Sequence, residues 1–141
     1  MPNSPICLDA SLVVRLVVDV QDDRIQEQWA QWAQQNRQFV APALLWYEVT
    51  NALYQYQKHG ILDGESVQLA QETALSLPVQ ILGDAGLHQR ALQLTQEFAL
   101  PAAYDAHYLA LAERYGAEFW TSDQRLVTAV SPSLSWVCLW P

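Results

Sequence analysis

Four acidic residues stand where a solvated surface charge is out of place. Asp9 closes the short apolar run Ile6-Cys7-Leu8, and Asp123 follows a second run, Glu118-Phe119-Trp120-Thr121, by two residues. Glu48 falls on the stripe of a helical pattern, with Leu44, Leu45, Ala52 and Tyr56 three, four or eight residues away. Asp105 repeats this, with Tyr108, Leu109 and Ala112 following at three, four and seven residues. A carboxylate buried without a partner costs at least several kcal/mol, so each must meet a cation, a proton or an open edge. Ordinary roles also fit: a helix N-cap for Asp9 and Asp123, an arginine ion pair for Glu48, and a first-turn or capping acid for Asp105. Taken together, the four favour an acidic pocket, which needs a counter-charge to stay ionised. The chain has one lysine, Lys58, and six scattered arginines. A hard divalent cation that takes oxygen ligands and keeps several waters, such as Mg²⁺, is the natural partner. Zinc is not indicated: His59, His88 and His107 fall on separate elements, and Cys7 and Cys138 match no zinc spacing.

The elements that must position these residues alternate between short apolar runs and longer helical patterns. Strands are expected at 6–8, 39–41, 79–82, 118–121 and about 135–140. Helices are expected at 10–18, 24–36, from Pro42 to about Lys58, from a cap at Asp63 to Pro78, after a cap at Asp84, from Pro101 to Tyr115, and at 124–129. An acidic turn at 19–23 separates the first two helices, and Gly60 and Gly116 stop two others. Strands separated by helices require crossovers. The expected fold is therefore α/β, a three-layer α/β/α arrangement around a central parallel sheet of about five strands, in a single domain spanning 1–141. In such sheets ligands bind at the carboxyl ends of the strands, where Asp9 and Asp123 would lie.

Composition excludes other classes. With 51% hydrophobic and 16% charged residues the 141-residue chain is globular rather than disordered. No apolar run approaches a membrane span, the longest being cut by Arg15, and Met1-Pro-Asn-Ser-Pro has no signal-peptide features. The two cysteines read as thiols in a reducing cytoplasm. A net charge of −8 leaves no basic face for holding nucleic acid through counterion release alone. The six tryptophans read as core or interface residues rather than base-stacking platforms, and one ring of the pair Trp46-Tyr47 is expected to point outward.

Four segments carry a resemblance: Cys7-Leu8-Asp9-Ala10-Ser11, Tyr47-Glu48-Val49-Thr50-Asn51-Ala52-Leu53, Tyr104-Asp105-Ala106-His107-Tyr108-Leu109-Ala110-Leu111-Ala112-Glu113 and Thr121-Ser122-Asp123-Gln124-Arg125-Leu126. In order and spacing, over roughly residues 6–130, they resemble the motifs of the PIN-domain family, and in particular the VapC-like ribonuclease toxins of toxin–antitoxin pairs. All four acidic positions of that family are filled. The resemblance implies a metal-dependent endoribonuclease acting on single-stranded RNA, a homodimer, and a cognate antitoxin that blocks the site.

On that basis Asp9, Asp105 and Asp123 are the first-choice ligands for one or two Mg²⁺ or Mn²⁺ ions, and Glu48 is a fourth ligand or the base that positions water. Ser11, Thr121 and Ser122 are candidates to donate to a carboxylate or phosphate oxygen, and Asn51 to orient Glu48; capping and surface roles remain open for each. The few basic residues predict weak, salt-sensitive RNA contact, selective for single-stranded or structured targets. An arginine-bearing antitoxin tail would complement the acidic pocket. A two-component receiver domain fits poorly because it needs a late strand-end lysine, and a haloacid-dehalogenase-type phosphatase because Ser11 stands where Asp is required. The alternative from a different class is a non-catalytic PIN-like binding or assembly module.

Overall fold

The computed structural model describes residues 3–18 and 21–141. Among these residues five strands form one sheet: β1 (Ile6–Leu8), β2 (Phe39–Ala41), β3 (Val79–Ile81), β4 (Glu118–Thr121) and β5 (Val137–Leu139). Among the described residues seven helices connect them: α1 (Ala10–Val18), α2 (Asp23–Gln34), α3 (Leu44–Lys58), α4 (Gly64–Leu75), α5 (Ala85–Phe98), α6 (Tyr104–Tyr115) and α7 (Gln124–Val130). The spatial order is β3-β2-β1-β4-β5 and every pairing is parallel. β1 and β2 are buried at every position, as strands covered on both faces must be, whereas β3 and β5 at the edges are partly exposed.

The chain direction reverses once. β1, β2 and β3 step one way across the sheet, and β4 returns to the other side of β1. Right-handed crossovers then put α1–α4 on one face and α5–α7 on the other. Accordingly α1 packs on α2, α3 and α4, while α5 packs on α6, which crosses β1, β2 and β4. This is the expected three-layer α/β/α architecture. No helix among the described residues is long and apolar enough to cross a membrane.

Local chemistry sets the helix boundaries. Asp22, Asp63 and Asp84 each accept a hydrogen bond from the backbone N–H three residues on, at 3.4, 2.7 and 3.1 Å, starting α2, α4 and α5. Gly116 closes α6 at φ 64°, a left-handed position that suits a residue without Cβ. α3 and α6 start two and three residues after Pro42 and Pro101, because Ala43 and Ala103 serve as their N-caps. The turn expected at 19–23 lies partly outside the described residues.

All six tryptophans are packed in or against the core. Trp29 stacks on Phe39 with centroids 4.0 Å apart, and Trp32, Trp120 and Trp140 continue that cluster through two edge-to-face contacts and one tilted one, Trp32 on Trp120. The outward ring of the pair on α3 is Tyr47.

At the amino edge of the sheet Arg37, only 7% exposed, ties three segments together. Its guanidinium lies 2.6 Å from the Glu118 carboxylate and donates to the Ser4 carbonyl and hydroxyl at 2.8 and 2.7 Å. Burial pushes the Glu118 carboxyl up, but the bonds from Arg37 and Trp120 outweigh it and hold it below its ordinary range. Arg37→Ala is expected to destabilise the fold by about 2–3 kcal/mol, less than the roughly 3–5 of a wholly buried pair because Glu118 is partly solvated. Denaturant unfolding measures this; an unchanged midpoint would show that the pair does not bind these segments together.

Candidate active site

The carboxyl edge of the sheet assembles the predicted acids. Leu8 pairs with Trp120, and the ladder runs one residue further, the Asp9 N–H donating to the Trp120 carbonyl at 3.2 Å. That places Asp9 beside Thr121, whose side chain is fully buried. Thr121 Oγ1 donates to Asp9 Oδ2 and accepts from the Asp123 backbone N–H at 3.0 Å. Asp9 Oδ1 accepts from Ser11 Oγ at 2.6 Å and from the Leu12 N–H at 3.3 Å. With the Ser11 proton given to Asp9, the 2.8 Å contact between Ser11 and Ser122 is a donation from Ser122. Ser11, Thr121 and Ser122 thus form one network around Asp9.

The capping roles are real. Asp9 and Asp123 each accept from the N–H three residues on, Leu12 and Leu126, the latter at 3.2 Å. Each does so through one oxygen, and the second oxygen of Asp123 meets no protein donor among the described residues. Asp105 lies in the first turn of α6 rather than at its cap, which is Ala103.

Glu48 has no arginine partner among the described residues. The buried stripe of α3 is Leu45, Val49 and Leu53, so Glu48 sits at the flank of that stripe rather than at its centre. Its Oε1 accepts from the phenol of Tyr108 at 2.6 Å. Tyr108 is fully buried, stacks on Phe119 with centroids 5.5 Å apart, and so aims its hydroxyl past the end of the sheet. Sequence reasoning placed Tyr108 in the core and missed this role; the available signal was a hydroxyl-bearing aromatic one turn after Asp105 on the same face. Asn51 is exposed and bonds to nothing among the described residues, because three residues after Glu48 the helix has turned toward the solvent side. Among the histidines, His107 Nδ1 donates to the Ala103 carbonyl at 2.8 Å, and its Nε2 shares a hydrogen bond with His88 Nδ1 at 2.8 Å. These two pair beside the acids rather than among them.

Glu48, Asp105 and Asp123 open on one cavity of about 390 Å³. Burial first, then the carboxylates of Glu48, Asp123 and Asp9, push Asp105 up to about 6, so this one side chain senses the other three. Burial also raises Asp9, against the hydrogen bonds from Ser11 and Thr121. The ion pairs of Arg15, Arg37, Arg90 and Arg114 all go to other acids. An all-oxygen donor set with no paired base fits a hard divalent cation. Among the described residues no three His, Cys, Asp or Glu side chains converge closely enough to enclose an ion. The acids form an open rim, since like charges repel and Asp9 and Glu48 are tied back to Thr121 and Tyr108. Such a rim suits a cation that retains several waters.

The rim lowers stability. Folded Asp105 holds its proton up to about pH 6, against 3.8 for the ordinary group. The folded state therefore binds more protons than the unfolded chain across that window, and stability falls as pH rises through it. Asp105→Asn is expected to raise the thermal midpoint at pH 7.5, with the advantage shrinking as pH is lowered from 6 toward 4. Mn²⁺ at pH 7.5 should raise the wild-type midpoint and narrow the difference. Thermal unfolding at several pH values checks this, and a difference independent of pH would rule out a carboxylate origin.

Comparison with known proteins agrees with this geometry. Among solved structures, the chain is similar to PAE2754 from Pyrobaculum aerophilum, with a TM-score of 0.67 and 25% identity over 89% of this chain and 86% of that one. No curated protein sequence matches it. The PIN domain profile matches residues 6–130, from the first residue of β1 to the last of α7. With nearly the whole chain inside that match, it belongs to the PIN domain family, whose members are generally nucleases.

Proposed function

We propose that this chain is a divalent-metal-dependent endoribonuclease of single-stranded or structured RNA, acting as the toxin of a toxin–antitoxin pair. The observation that carries the reading is the set of four carboxylates at the carboxyl edge of a PIN fold, none of them ion-paired to a basic side chain among the described residues. Asp9, Asp105 and Asp123 would hold one or two Mg²⁺ or Mn²⁺ ions, with Glu48 as a fourth ligand or as the group that orients water. Bound there, the cation would acidify a water and offset charge on the phosphate under attack.

The chain's own residues do the rest. Thr121 and Ser11 fix the orientation of Asp9, and Ser122 supports Ser11. Tyr108 holds one oxygen of Glu48, leaving the other to accept from the attacking water. Asp105 and Asp123 face the cavity through which a strand would approach. With a charge of −8 the protein has little general attraction for RNA, so productive binding depends on the rim being neutralised. The same rim would accept an arginine-bearing antitoxin tail in place of the cation, and a homodimer remains part of the proposal by resemblance to the VapC-like toxins.

The test is cleavage of a single-stranded RNA panel in Mg²⁺, Mn²⁺ or EDTA. Wild type should cut only with metal, Asp9→Asn and Asp105→Asn should lose at least about a hundredfold, and Tyr108→Phe about tenfold through a misplaced Glu48. Full activity in either Asn variant overturns the assignment. Metal binding with no turnover of any strand would favour the non-catalytic binding module.

A further inference from the structure

Arg125, the second residue of α7, lines the same cavity as Glu48, Asp105 and Asp123. Of the six arginines it alone has no protein acceptor among the described residues. Arg15, Arg37, Arg90 and Arg114 are ion-paired, and Arg24 reaches the Pro141 carbonyl at 3.5 Å. Three carboxylates share its cavity, yet it pairs with none of them. Its fork of donors is therefore left for an anion from outside, and a planar guanidinium is suited to bind phosphate through two parallel bonds.

Part of the cavity lining is apolar, with Leu100, Pro101 and Leu126. At its mouth stands Tyr104, 66% exposed, next in sequence to Asp105. An aromatic ring this exposed gives up little by waiting for a partner, and an unstacked base offers it a π face. The volume of about 390 Å³ lies within the roughly 300–1,000 Å³ of small-molecule sites.

We infer that this cavity is a nucleotide subsite for single-stranded RNA: Arg125 holds a phosphate adjoining the one at the acidic rim, and Tyr104 with the apolar wall receives the unstacked base. The inference deepens the nuclease reading and rests on it for the position of the scissile phosphate. It also accounts for how so acidic a protein grips a strand, by one placed cation and one ring rather than a basic face. Duplex RNA, its bases stacked and paired, does not fit the subsite.

The test is fluorescence anisotropy of a short labelled single-stranded RNA in Ca²⁺, with strand integrity checked on a gel and affinity measured across a salt series. Arg125→Gln should weaken binding about tenfold and reduce the salt slope by about 0.7, one phosphate contact on a single strand. Tyr104→Ala should weaken binding about fivefold or more while leaving the slope unchanged. Arg24→Gln, at a residue that does not line the cavity, should change neither. An unaltered slope in Arg125→Gln, wild-type affinity in Tyr104→Ala, no binding by wild type, or equal Tyr104 dependence with a duplex each overturns the subsite. Cleavage scored separately keeps the two readings apart. A strand gripped with these signatures but never cut defeats the nuclease and leaves the subsite. A strand cut by both variants with wild-type kcat and KM defeats the subsite and leaves the nuclease.

Discussion

The pairing of β1 with β4 governs everything at the carboxyl edge. These strands are far apart in sequence, and their register brings Leu8 opposite Trp120, so that Asp9 extends the ladder by one bond and lands on Thr121. A slip of one residue would turn every side chain to the other face and part Asp9 from the hydroxyl that holds it. Thr121 is buried and bonded in both directions, as acceptor from the Asp123 backbone and donor to the Asp9 carboxylate. The rim is therefore as well positioned as the centre of the sheet, though its acids come from four separate segments.

The two ends of the sheet treat charge in opposite ways. At the amino end Arg37 is buried and matched to Glu118 and Ser4, and the pair joins β4 to the chain leading into β1 and β2. At the carboxyl end acids face acids, and the cations are spent elsewhere or, like Arg125, held aside. Local electrostatic conflict of this kind is where sequence and fold disagree in favour of function. The remainder of the molecule is self-consistent, with capped helices, a sandwiched pair of central strands and a continuous aromatic cluster.

Much of this was legible in the sequence because the signals were local. The strand cores, the Asp63 and Asp84 caps and the Gly116 stop are set by neighbours within a few residues. The acids could be singled out by position, since a carboxylate on an apolar stripe conflicts with its surroundings whatever the fold. What could not be read depends on contacts between distant segments. Tyr108 reads as core because it is core; that its hydroxyl meets Glu48, sixty residues earlier, is a consequence of how α3 and α6 cross the sheet end. Asn51 illustrates the complementary limit: helical spacing brings it near Glu48 in sequence, while the placement of α3 leaves its side chain exposed. The His88–His107 pair and the unpaired state of Arg125 likewise appear only once α5, α6 and α7 are placed.

The phenol of Tyr108 also links two layers. It belongs to α6 on one face of the sheet, rests on Phe119 of β4, and reaches the carboxylate of α3 on the other face. Any sliding of one helical layer over the other is transmitted along this rod to Glu48 and so to the spacing of the acids. In mechanical terms the rim is a strain gauge for the packing of the two layers, and its sensitivity is set by one hydrogen bond.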